Sequence, residues 1–105
     1  VVVDMRRSSP TFGQWVAEVL SDRNRRALYI PAGFAHGFLV LSDEALVSYK
    51  TGAEYSKEHD AGVRWNDPDL AIDWPVTTPV LSEKDTGLPP LAEVRDDFAG
   101  LEPYR

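Results

Sequence analysis

His36 lies in the segment Pro31-Ala-Gly-Phe-Ala-His-Gly-Phe38, and Tyr49 follows it across a short polar link. An imidazole and a phenol lining one concave surface suit proton traffic at a carbon beside a carbonyl. The imidazole can hydrogen-bond the developing enolate oxygen, while the phenol delivers or removes a proton. Both side chains also have an ordinary structural use. A tyrosine in a β core more often bonds its hydroxyl to backbone, and a lone histidine before a glycine is more often structural.

A hairpin would have to bring the two together. Gly37 to Leu41 and Leu46 to Lys50 are apolar runs flanking Ser42-Asp43-Glu44-Ala45, which is a hairpin pattern. A loop centred between Asp43 and Glu44 sets Phe38 opposite Tyr49 and His36 opposite Thr51. His36, Phe38 and Val40 then share one sheet face with Val47, Tyr49 and Thr51. His36 and Tyr49 become diagonal neighbours, roughly 7 Å apart at the backbone. A loop of odd length would turn Tyr49 to the other face.

Other chemistries find less support. His36 and His59 are far apart and form no His-x-His or His-x-x-x-His pair, so no metal is expected. Ser8, Ser9 and Ser82 lack a Gly-x-Ser-x-Gly elbow. No Gly-rich phosphate loop is present, and the absence of cysteine excludes disulfides and thiolate catalysis. A net charge of −6 argues against a nucleic-acid surface, although a local pocket could still take a phosphorylated small molecule.

The elements that would carry these residues are short. Val1 to Met5 is β-rich, and Ser8-Ser9-Pro10 is turn chemistry. From Phe12 to Ser21 the pattern alternates, with Trp15, Ala17 and Val19 on one face. Asp22 to Arg25 reads as a polar turn, Ala27 to Ile30 as a strand stopped by Pro31, and Leu70 to Trp74 as a brief strand ended by Pro75. Pro89-Pro90-Leu91-Ala92-Glu93-Val94 could begin a terminal helix without a side-chain cap. Many short strands separated by Gly, Pro and Asp, with one late helix, predict an all-β sandwich or barrel in one domain. No apolar run is long enough for a membrane span, and Val1 to Asp4 does not resemble a signal peptide. The expectation is therefore a cytoplasmic chain, opening inside a strand and cut from a longer one.

In order, the chain carries Ser9-Pro-Thr-Phe-Gly-Gln-Trp15, Pro31-Ala-Gly-Phe-Ala-His-Gly-Phe-Leu-Val-Leu-Ser42, Tyr49-Lys50, Arg64-Trp-Asn-Asp-Pro-Asp-Leu-Ala-Ile-Asp-Trp-Pro75 and Leu81-Ser-Glu-Lys-Asp85. This ordered set resembles the dTDP-4-dehydrorhamnose 3,5-epimerase family through Val94. The resemblance implies a cupin jelly roll, of which residues 1–105 would be the carboxy-terminal portion. It also implies a homodimer and no metal or organic cofactor. The implied substrate is dTDP-4-keto-6-deoxyglucose, inverted at C3 and C5 beside the C4 ketone on the route to dTDP-L-rhamnose.

Carried over by position, Tyr49 matches the family's acid and His36 its active-site histidine. Asp85 matches the carboxylate that orients the basic histidine, Lys84 lies beside it as a substrate contact, and Tyr55 matches an aromatic residue near the nucleotide. The base itself is implied to lie in an Arg-Gly-x-His segment, absent from these 105 residues and expected upstream of Val1. A single-carbon epimerase or keto-sugar isomerase of the same fold remains an alternative. So does a truncated cupin that only binds a nucleotide-sugar.

Overall fold

A computed structural model describes residues 1–50 and 62–94. Three strands form one antiparallel sheet: β1 (Val2–Asp4), β2 (Trp15–Val16) and β3 (Phe34–His36). Their order is β2-β1-β3, with Val2 opposite Val16 and His36, Val3 opposite Trp15 and Ala35, and Asp4 opposite Phe34. The β-branched run at the start of the chain thus becomes the central strand, the position that gains most from cross-strand packing.

Turn chemistry brings the flanking strands back to β1. Gly13 sits at φ +81° and Gly33 at φ +90°, a region where a side chain would be strained. Gly13 N–H donates to the Asp4 carbonyl, and Met5 N–H donates to the Gly33 carbonyl. Each glycine therefore closes one side of the central strand.

Because side chains alternate along a strand, the sheet has two different faces. Val3 and Met5, with Leu70 and Val94, form the buried cluster, and Val1, Trp15, Ala35, Val63, Ile72 and Leu91 pack around it. The opposite face carries Val2, Asp4, Val16, Phe34 and His36.

The chain that roofs the core is held mainly by one carboxylate. Buried Asp67 accepts from the backbone N–H groups of Asp69 and Leu70 through Oδ1, and from that of Leu91 through Oδ2. It joins the turn after Trp65 to a 3₁₀ helix, Leu91–Glu93. The Arg64 N–H donates to the Pro89 carbonyl, and an Arg7 guanidinium nitrogen donates to the Val94 carbonyl, tying both ends of the roof down.

Several expectations from the sequence change in the folded chain. The helix expected from Pro89 is the single 3₁₀ turn, which indeed has no side-chain cap. A separate helix, α1 (Glu83–Thr86), precedes it, capped by the Ser82 hydroxyl accepting from Asp85 N–H. The alternation from Phe12 to Ser21 yields only the two residues of β2. Ala27 to Ile30, Gly37 to Leu41, Leu46 to Lys50 and Leu70 to Trp74 form no strand. In the first three, Tyr29, Phe38, Leu41 and Leu46 stay largely exposed, and unpaired strands are not stable alone. The turn at Asp22 to Arg25 is present, with Ser21 and Asn24 exchanging side-chain-to-backbone hydrogen bonds. The described residues are thus mostly sheet and loop with little helix.

Candidate active site

The face opposite the core holds the chemistry. Asp4 is 2 % exposed, yet it is a carboxylate. It is stabilised by a bidentate contact, since Arg6 Nε donates to Oδ1 and Arg6 Nη2 to Oδ2, each at 3.0 Å. Arg6 backbone N–H also donates to Oδ1, and the hydroxyls of Ser9 and Thr11 donate to Oδ2. The Arg6 side chain leads in holding the Asp4 carboxyl well below the usual carboxylate range, and the two hydroxyls reinforce it against the opposing effect of burial. Asp4 is therefore a fixed negative charge.

The other side of that guanidinium meets an aromatic ring, with Arg6 Cζ lying 4.7 Å from the centroid of Phe34. A cleft of about 220 Å³ opens beside this group, lined by Asp4, Thr11, Gln14, Trp15, Val16 and Phe34.

His36 ends β3 on the same face, two residues beyond Phe34, and is exposed. Burial of part of its ring leads in pushing its pKa down, and the positive charge of Lys84 adds to it. The amino terminus donates to the Gly37 carbonyl beside it. His36 thus stands as a neutral imidazole, lowered first by partial burial, which suits hydrogen bonding to an oxygen of a ligand.

Lys84 and Asp85 lie on α1, exposed, and Lys84 comes close enough to His36 to affect its charge. Tyr49 is 73 % exposed, in a stretch without strand structure, and no hydrogen bond joins it to His36 among the described residues. The diagonal pair expected from the hairpin is therefore not formed, because Leu46 to Lys50 does not pair with Gly37 to Leu41. Tyr55 and His59 lie outside the described residues. Lys84 acts on His36 through its charge, and Tyr49 forms no hydrogen bond with it among the described residues.

Sequence reasoning missed Asp4 and Arg6. A signal was present: an acid embedded in a β-rich run, followed at short range by Arg6, Ser9 and Thr11. Inward-pointing acids in strands need such partners.

A short antiparallel sheet with a buried carboxylate, a stacked guanidinium and a histidine on one face defines a small β protein with one polar face. Comparison with known proteins gives the family. The family model described as dTDP-4-dehydrorhamnose 3,5-epimerase matches residues 1–93, and the chain belongs to that family. A dTDP-4-dehydrorhamnose 3,5-epimerase of Sinorhizobium fredii is 52 % identical over 99 residues, covering 93 % of this chain and 51 % of the relative. A dTDP-4-dehydrorhamnose 3-epimerase of Streptomyces niveus is 48 % identical over 103 residues, covering 98 % of this chain and 49 % of the relative. Among solved structures, the Legionella pneumophila dTDP-6-deoxy-D-glucose-3,5-epimerase in complex with dTDP-4-keto-L-rhamnose aligns with a TM-score of 0.75 and 38 % identity. That alignment covers 99 % of this chain and 54 % of the other. The chain spans about half the length of the relatives it matches. No helix among the described residues is long and apolar enough to cross a membrane.

Proposed function

We propose that this chain is the carboxy-terminal portion of a cupin jelly-roll enzyme that epimerises dTDP-4-keto-6-deoxyglucose at C3 and C5. The observation that carries the reading is the family match over residues 1–93, which spans the motifs around His36, Tyr49 and Asp85. In the reaction, a base removes the proton on carbon beside the C4 ketone, and the bonding electrons move onto the C4 oxygen as an enolate. A donor on the opposite face then returns a proton to that carbon, inverting it.

Tyr49 is the proton donor and His36 hydrogen-bonds the substrate. Asp85 orients the basic histidine, fixing its tautomer and raising its basicity. Lys84 and Tyr55 contact the substrate. Partial burial, which leads in lowering the pKa of His36, supports its part, since a neutral imidazole can donate to an oxyanion without quenching the adjacent base. The base is the histidine of an Arg-Gly-x-His segment outside these 105 residues. The assembly is a homodimer acting in the cytoplasm.

Incubation with the keto sugar in deuterium oxide tests this. A protein carrying both this chain and the Arg-Gly-x-His segment exchanges at C3 and C5, and the 105-residue chain alone is slower by roughly 10²–10⁴-fold. Tyr49→Phe in the longer protein suppresses epimerisation while leaving substrate binding in place. No exchange in the longer protein overturns the reading, and an unaffected Tyr49→Phe removes Tyr49 from its role.

A second reading, epimerisation at one carbon, is favoured by the likeness to the Streptomyces niveus 3-epimerase. Deuterium confined to C3 would establish it. A cupin that only binds its nucleotide-sugar would bind without exchanging at either carbon.

A further inference from the structure

The segment Arg64 to Pro75 carries part of the family resemblance, but the epimerisation chemistry gives it no role. It builds a cleft of about 370 Å³ whose lining includes neither His36 nor Asp4. Two half-buried tryptophans, Trp65 and Trp74, form part of the wall. Trp74 Nε1 donates to the Trp65 carbonyl at 2.8 Å, so the only polar atom of that indole is already used and the ring offers apolar surface.

The loop between the tryptophans is held in an unusual conformation. Ala71 has φ +52°, which is strained for a residue with a Cβ, and its N–H donates to the Asp67 carbonyl. The Asp67 carboxylate in turn fixes the backbone at Asp69, Leu70 and Leu91. Trp74 N–H closes a tight turn onto the Ile72 carbonyl. Strain retained on a loop that is pinned from several sides is characteristic of ligand clamps.

The rim chooses the ligand class. Asn66, Asp73 and Thr77 are exposed at the cleft and offer an amide, a carboxylate and a hydroxyl. Among the described residues no Lys, Arg or His lines it, while Asp67 and Asp73 do. Such a rim repels phosphate and accepts hydroxyl donors. Ligand pockets run from about 300 to 1,000 Å³, so this one is at the size of a single ring. We propose that the cleft between Trp65 and Trp74 binds a neutral pyranose, one face against indole and its hydroxyls on Asp73, Asn66 and Thr77. It is a carbohydrate subsite distinct from the one that takes the nucleotide-sugar, and it does not depend on the catalytic reading.

Indole N–H resonances of the 105-residue chain test this, because Trp15 packs against the core and borders the separate cleft beside Asp4, so it reports on the fold and on binding there rather than at Trp65 and Trp74. Titration with methyl glucopyranoside or a methyl 6-deoxyhexopyranoside shifts Trp65 and Trp74 saturably, with a Kd of about 1–10 mM, and leaves Trp15 in place. Asp73→Asn and Thr77→Val, both at exposed positions, each weaken binding about tenfold without moving Trp15. Added dTDP leaves Trp65 and Trp74 unshifted. The proposal is overturned by the absence of saturable shifts, by equal movement of all three indoles, by undiminished binding in both variants, or by dTDP shifting the pair as strongly as the glycosides.

Discussion

Val1 to Met5 and Phe38 to Val47 are both rich in residues that favour strands, yet they end differently. Val3 and Met5 are buried at 4 % and 1 % exposure, while Leu46 is 97 % exposed and Phe38 64 %. The first run has a strand on each side and a roof of Leu70, Leu91 and Val94. Among the described residues the second has neither. Strand propensity mostly measures how well a side chain packs on its neighbours, so a run without neighbours does not express it. About 25 cal/mol for each Å² of apolar surface removed from water is the gain that β1 collects and the second run does not.

The contrast can be broken most forcefully at Asp4. Asp4→Ala removes the buried carboxylate that Arg6, Ser9 and Thr11 share as an acceptor, and the expected loss is about 3–5 kcal/mol, read from the urea midpoint. Met5→Ala is next, at about 2–5 kcal/mol for a fully buried side chain. Leu46→Ala, a deletion of comparable size in the exposed run, should stay within about 0.5 kcal/mol. Equal effects at Met5 and Leu46 would mean that the second run is packed after all.

Acid sharpens the same comparison more gently. The folded Asp4 carboxyl titrates below its unfolded counterpart, whose value is about 3.9. Its contribution is complete above that value and drains away as pH falls towards the folded pKa. His36 is also depressed when folded, so the unfolded chain takes up that proton first. Stability therefore begins to drop as pH falls through about 6.5, the unfolded histidine value. Denaturant melts at about pH 7, 5 and 3 separate the two steps, and Asp4→Asn removes the lower one. A melt that does not change across that range would contradict both.

The family and some of the fold were legible in the sequence. The ordered motifs gave the family, with the roles of His36, Tyr49, Lys84 and Asp85 as expectations from it, and local chemistry gave the first strand and the turns. The Asp22 to Arg25 turn formed because Ser21 and Asn24 bond within it, with no distant partner required. The hairpin that was to join His36 to Tyr49 depended on a long-range surface, and on that point the short-range pattern misled. The cap of α1 is equally local, since Ser82 lies three residues before the Asp85 N–H that it accepts.

What the sequence determined by itself is what acts over a few residues: the turns and caps, the absence of thiols, the net charge and the order of the motifs. Tertiary structure decided which apolar runs became strands. It made Asp4 a permanent anion and Asp67 the tie between a turn and Leu91. It also covered part of the His36 ring and set the charge of Lys84 on α1 within reach of it. The reason is that burial and charge environment are set by residues far away along the chain. The motif around His36 marked it out, but its charge state is a product of the neighbours that the fold supplies.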